Sequence, residues 1–221
     1  MDFSFISNTF LFRGCSEADL ENMLQCLDFT THTYEKGDVI YTAGTVISAL
    51  GLILSGSVRI ENNDFWGNRS VLNVMEPGDT FAEAYACIPN ELLMVDVIAN
   101  EPCEILFINA QKVLRLCSNM CPFHHKLIQN LIVINAKKSL ALSQRIFHTS
   151  PKTIRGRLMS YFSQQISIQG SNHITIPFDR QQLADYLGVD RSALSKELGK
   201  MKQEGLLEFR KNVFQIKPQS L

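Results

Sequence analysis

Arg191, Ser192, Ser195 and Lys196 are spaced so that a helix would carry them on one face, and all four can donate hydrogen bonds. Lys202 extends that face, while Leu194, Leu198 and Met201, at i, i+4 and i+7, give the same helix a side to bury. A shorter helix precedes it, with Asp179 placed as its cap and Leu183, Ala184 and Leu187 as its apolar edge. Between the two, Gly188-Val189-Asp190 breaks the period: glycine accepts the positive φ of a tight turn, and Asp190 can cap the second helix. Two short helices that cross this closely make a helix-turn-helix, whose second helix reads base edges in the major groove of DNA. The alternative is a helical hairpin whose basic face is only solvated.

The elements around this motif favour the DNA reading. His148-Thr149-Ser150-Pro151 ends one helix and starts another, with Ser150 as N-cap and Pro151 at the first helical position. The helix expected over 151–165 turns Ile154, Leu158, Tyr161 and Phe162 inward and Lys152, Arg155 and Arg157 outward. A short strand, HITIPF, precedes the helix-turn-helix, and LLEFR-KN-VFQIK after it reads as a hairpin turning at Lys211-Asn212. Helices leading into a small basic hairpin make a winged helix-turn-helix.

Upstream lies one long helix over 122–148. Ile128, Leu131, Asn135, Lys138 and Leu142 alternate by three and four along it, as in a coiled-coil seam, so it is expected to pair with its twin. Asn135 in mid-seam is the residue type that favours one register and two strands. The alternative is a helix with no partner. From about Thr31 to Ile108 the chain changes to short β-type runs punctuated by Gly37, Gly44, Gly56 and Gly78, as in a small sandwich or barrel. Trp66, near a hairpin tip, is expected to pack against the sheet. Ser16 and Asp19 mark the start of a helix before these strands.

Composition agrees with two functions on one chain. The 221 residues carry a net charge of −1, but residues 149–221 hold eleven Lys and Arg against six Asp and Glu, and the acidic excess lies before them. Only the C-terminal part is suited to a polyanion. No signal peptide or spanning run is visible, so a cytoplasmic location without membrane contact is expected. The six cysteines are scattered and are expected to be free thiols. Cys117 and Cys121 could form a thiol sensor or lie inert, and neither they nor His124-His125 complete a ligand set, so no metal is expected. No nucleophile motif or phosphate loop points to an enzyme.

Taken together, EKGDVIYTAG, LILSGSVRI, EPGDTFAEAYA and the helix-turn-helix resemble the catabolite activator/FNR (Crp–Fnr) family of bacterial transcription regulators, from about residue 10 to the end. The resemblance implies an α+β chain: a cyclic-nucleotide-binding-type β-roll over 1–121, a dimerisation helix over 122–148 and a winged helix-turn-helix over 149–221. It puts base reading on Arg191, Ser192, Ser195 and Lys196, and phosphate gripping on Arg180 and Gln181. Many members have glutamate at the Ser192 position and arginine at the Lys196 position, so a different half-site is expected. Glu197 stands where relatives are often apolar. The effector pocket falls on Phe81, Ala82, Glu83, Leu93 and Met94, faced by Lys138 and Ser139. Leu93 and Met94 replace the arginine-serine pair that holds a cyclic phosphate, so the usual cyclic-AMP contacts are not expected. Cys15 and Cys26 are too sparse for an FNR-type iron–sulfur cluster. The implied protein is a homodimer on a palindromic operator, with RNA polymerase as a further partner and a small-molecule effector of unknown identity. The other class of reading is an effector-binding or scaffold module whose winged helix contacts protein.

Overall fold

A computed structural model describes residues 2–27, 29–63, 66–67, 69–115 and 122–217. Two helices, α1 (Phe3–Asn8) and α2 (Glu17–Leu27), lead into strands β1 (Thr30–Tyr34), β2 (Val39–Tyr41), β3 (Ala49–Ser55), β4 (Val58–Asn63), β5 (Arg69–Met75) and β6 (Thr80–Phe81). Helix α3 (Glu83–Cys87), strands β7 (Asp96–Ala99) and β8 (Cys103–Asn109), and helix α4 (Ala110–Leu114) come next, before the long α5 (Pro122–Thr149). The C-terminal part comprises α6 (Ile154–Gln169), β9 (His173–Thr175), α7 (Arg180–Leu187), α8 (Arg191–Gln203), β10 (Leu207–Arg210) and β11 (Val213–Ile216). The chain divides into two compact units, Met1–Lys137 and Lys138–Leu221.

In the first unit the antiparallel sheets β1-β8-β3-β6 and β2-β7-β4-β5 form the β-roll. Ile53, Phe81, Ile105 and Phe107 of one sheet meet Val58, Met75, Val97 and Ala99 of the other in a shared core. Strand β3 is buried on both faces, which is why ALGLILS does not alternate apolar with polar. Leu50 and Leu52 turn to a second core built with Leu20 and Met23 of α2, Val113 of α4, and Leu127, Leu131 and Ile134 of α5. Gly51, between them, lies against the Phe81 ring: a Cβ there would come within 2.1 Å of the ring edge. The ring fills the space that a side chain would take. At the front of α2, Ser16 and Asp19 cap reciprocally, the hydroxyl accepting from the Asp19 N–H and the carboxylate from the Ser16 N–H. Trp66 differs from expectation: its side chain is 82 % exposed instead of packed on the sheet. Cys15 and Cys103 are buried free thiols and Cys87 is a half-buried one, while Cys117 and Cys121 lie outside the described residues.

In the second unit, β10-β11-β9 form the wing sheet. One core joins Leu158, Tyr161 and Phe162 of α6 to Leu183, Ala184 and Leu187 of α7, Leu194, Leu198 and Met201 of α8, and Phe214 of β11. The start of α6 corrects the sequence expectation. Helix α5 runs to Thr149, and the Ser150 hydroxyl donates back to the Ile146 carbonyl at 2.6 Å instead of capping forward. The cap is Thr153, whose hydroxyl accepts from the Gly156 N–H at 3.0 Å, so Pro151 precedes the helix.

Replacing Gly51 by alanine forces the Phe81 ring to move, and the β-roll is expected to lose about 1–3 kcal/mol. Denaturant unfolding of Gly51→Ala against the parent chain measures this.

Candidate nucleic-acid interface

Residues of α7 and α8 position the polar face by ordinary means. Asp179 accepts from the Gln182 N–H at 2.8 Å, and the Gln182 side chain accepts from the Asp179 N–H at 2.8 Å, so α7 begins in a full capping box. Gly188 ends it at φ 62°, a conformation that only glycine adopts at little cost. Asp190 then caps α8, accepting from the Ala193 N–H at 2.8 Å. With Leu194, Leu198 and Met201 fully buried, Arg191, Ser192, Ser195 and Lys196 are turned outward and exposed. The four expected base readers therefore lie together on one solvent face. The Ser192 hydroxyl lies 2.5 Å from an Asp190 carboxylate oxygen.

The two phosphate candidates are held differently. The Gln181 amide donates to Asp185 at 2.8 Å along α7. Arg180 leaves α7 toward the wing: its guanidinium lies 5.1 Å from the Phe209 ring centre and 5.6 Å from that of Phe214, and it donates to the Lys211 carbonyl at 3.4 Å. Burial draws the Arg180 pKa down from the usual guanidinium value, yet leaves the group charged. Arg180, Phe178 and Gln182 line a cleft of about 460 Å³ with Lys211 and Asn212 of the wing tip.

Arg155 and Arg157, expected at the surface, and Arg145 of α5 hold the frame. Arg157 donates to the Leu187 and Gly188 carbonyls at 2.8 and 2.9 Å, so it grips the turn of the helix-turn-helix. Arg145, on the last turns of α5, donates to the Asp185 and Tyr186 carbonyls at 3.0 and 3.2 Å. Both cations donate to carbonyls at the C-terminal end of α7, where the helix ladder runs out and Asp185 accepts in addition from the Gly188 N–H. Arg155 pairs with Glu197 at 2.6 Å and with both oxygens of Glu204 at 2.7 and 3.0 Å. That bridge accounts for an acidic side chain at position 197. His148 is 3 % exposed, its Nδ1 2.8 Å from the Tyr186 hydroxyl and its ring edge-on to Tyr161.

Helix α5 shows which of its faces is already used. Leu131, expected in the seam, is buried in its own unit's core and Ile128 packs against that core. Asn135 donates to the Leu131 carbonyl at 3.0 Å, within its own helix. Lys138 is half-buried, and Leu142 is exposed. The exposed apolar residues of α5 are Ile132, Val133, Leu140, Leu142, Ile146 and Phe147, with Val133, Leu140 and Phe147 seven apart, and Leu142 is the member of the expected seam among them.

The effector candidates are only partly grouped. Phe81 is buried among Tyr41 and Phe107, with ring centres 6.1 and 6.4 Å away. Ala82 adopts φ 60° at the start of α3, whose first residue, Glu83, is buried. Leu93 is a core residue, with its N–H and carbonyl bonded to Thr45 and Gly44, whereas Met94 is 73 % exposed. Lys138 and Ser139 belong to the other compact unit. Among the described residues no His, Cys, Asp and Glu cluster could hold a metal ion.

A β-roll joined to a winged helix-turn-helix with an outward polar reading face defines a DNA-binding regulator with a sensor domain. Comparisons agree with that class. The "Cyclic nucleotide-binding domain" family model matches residues 31–120, and the "Crp-like helix-turn-helix domain" model matches residues 156–221. The chain belongs to the Crp–Fnr family of transcription regulators. It is 26 % identical to the "Probable transcriptional regulator flp" of Lacticaseibacillus casei, over 82 % of this chain and 81 % of that one. It is 23 % identical to the "Cyclic AMP receptor protein" of Thermus thermophilus, over 96 % and 94 %. The solved "c-di-GMP Responsive Global Regulator CLP" of Xanthomonas campestris shares the fold with a TM-score of 0.57 at 18 % identity, over 92 % of this chain and all of that one (100 %).

Burial pushes the His148 imidazole below its ordinary value, against a weaker opposing effect of a hydrogen bond with Gln164. The unfolded chain takes up this proton first, near the ordinary value of about 6.5. Stability from neutral His148 is therefore full above that pH and is lost as pH falls. The melting temperature is expected to drop between about pH 7.5 and 5.5, and to drop less in His148→Gln; thermal melts in matched buffers check it.

Proposed function

We propose that this chain is a homodimeric, sequence-specific transcription regulator that reads a palindromic operator with α8. One observation carries the reading: Arg191, Ser192, Ser195 and Lys196 stand together and exposed on the helix that a winged helix-turn-helix lays in the major groove. Arg191 and Lys196 suit guanine O6 and N7, although Lys lacks the planar two-point contact of Arg. Arg180 and Gln181 at the front of α7 serve the phosphate backbone. Two α8 helices separated by about 34 Å would meet successive major grooves.

The twin subunit covers the exposed stripe of α5, from Ile132 and Val133 through Leu140 to Ile146 and Phe147. The β-roll is the sensor, and its ligand lies outside the usual cyclic-AMP contacts, because Leu93 and Met94 supply no cation for a phosphate. A buried phosphate without one is costly. Contact with RNA polymerase and a cytoplasmic location belong to the same reading. No helix among the described residues is long and apolar enough to cross a membrane.

Selection of bound duplexes from a random pool tests the reading, with affinity falling steeply as salt rises. Lys196→Ala is expected to cost about 1–3 kcal/mol on the selected site and to weaken random duplex only slightly. Equal losses on both DNAs would refute base reading by this residue. In sedimentation experiments Leu140→Asp is expected to give folded monomers, whereas Leu131→Asp, placed in the core, is expected to unfold the first unit.

A further inference from the structure

We propose that Ser192 reads a base which offers an amino group in the major groove, cytosine N4 or adenine N6, because Asp190 has taken the proton of its hydroxyl. This deepens the DNA-binding reading and rests on it. The Ser192 Oγ lies 2.5 Å from Asp190 Oδ1, so one proton lies between the two oxygens. Asp190 is a carboxylate: the Ser192 hydroxyl and, after it, the Ala193 N–H hold its pKa below the ordinary value. An ionised carboxylate only accepts, so the proton is the serine's.

A serine hydroxyl has one hydrogen and two lone pairs, and for that reason it normally suits either kind of base edge. With its hydrogen committed to Asp190, only the lone pairs of Ser192 face outward. Guanine and thymine present oxygen or nitrogen acceptors in the major groove, and acceptor against acceptor is repulsive. Cytosine and adenine present an N–H. The nearby carboxylate adds to the discrimination by disfavouring guanine O6 and thymine O4. Capping alone does not require the charge, since Ser or Asn caps as well as Asp. A carboxylate at the front of a DNA-reading helix weakens attraction to phosphate. Asp190 is thus a positioning residue for Ser192. A single accepted hydrogen bond does not tell cytosine from adenine, so the expected signature is a position that takes both.

The test is selection from randomised palindromic duplexes with the full-length parent, Ser192→Ala, Asp190→Gly and Asp190→Asn, each checked for folding by thermal melting. One position in each half-site of the parent should favour cytosine or adenine on the contacted strand over guanine and thymine by about five- to tenfold. Ser192→Ala should flatten that position and no other. Asp190→Gly keeps a tolerable cap and frees the hydroxyl, so guanine and thymine should become as acceptable there. Asp190→Asn keeps a carbonyl acceptor for the serine and should retain the parental pattern. The proposal is overturned if the position flattened by Ser192→Ala favours guanine or thymine in the parent, or if Asp190→Gly leaves the pattern intact. Enrichment of no sequence by any of the four proteins would overturn the DNA reading itself.

Discussion

The reading head is held by two guanidinium groups set on the carbonyl end of one short helix. Helix α7 has eight residues, and its last carbonyls have no partner within the helix. Arg157 from α6 and Arg145 from α5 supply those partners, and each interacts favourably with the negative end of the α7 dipole. The consequence is geometric. The turn Gly188-Val189-Asp190 hangs from these contacts, and Asp190 in turn starts α8. The orientation of α8 is therefore set by these charge-assisted bonds to backbone together with the apolar core that it shares with α6 and α7. His148, packed between Tyr161 and Tyr186, adds a neutral buried group to the same junction. A proton there would sit among aromatic rings without a compensating anion in hydrogen-bond contact, and so would loosen the junction.

Helix α5 uses different faces for its two tasks. Leu127, Leu131 and Ile134 are committed to the β-roll, which removes them from any pairing with a second chain. Val133, Leu140 and Phe147 remain exposed at heptad spacing. Burying a side chain of that size contributes about 1.5–3 kcal/mol, so the exposed residues offer a sizeable gain to a twin helix. Lys137, over the Phe10 ring at 3.9 Å, anchors the helix to its own unit on the remaining side.

Much of the fold and the interface is legible in the residues, and the departures share a cause. The helix-turn-helix can be read because its caps and apolar spacing are local: Asp179, Gly188, Asp190 and the Leu194–Leu198–Met201 edge all do what their types allow. The start of α6 departs from expectation because Ser150-Pro151 has the form of a cap and first residue. Thr153 competes for the same role, and the Ser150 hydroxyl finds a carbonyl behind it. The expected seam on α5 includes Leu131, which the first unit's core takes, because periodicity locates apolar faces without saying which one that core claims. Arg157 passes in the sequence for a surface cation and Arg145 gives no sign of its role, since the α7-end carbonyls they bind lie thirty or more positions away and are backbone atoms, which have no signature in sequence. Glu197 looks out of place for the same reason, its partner Arg155 being forty-two positions upstream.

The charge pattern of the C-terminal part acquires a clearer meaning from those partners. Residues 149–221 contain six acidic groups, and each is occupied inside the fold. Asp179 and Asp190 cap helices, Asp185 accepts from Gln181, Glu197 and Glu204 share Arg155, and Glu208 lies 3.2 Å from Lys202. Only Glu197, Glu204 and Glu208 stand against cations, Arg155 and Lys202, whereas Asp179, Asp185 and Asp190 face neutral donors and keep their charge. Lys152, Arg191, Lys196, Lys200, Arg210 and Lys211 are left exposed. The eleven Lys and Arg against six Asp and Glu give the same excess whatever their partners, and the carboxylates of Asp179, Asp185 and Asp190 remain part of the field that a polyanion meets.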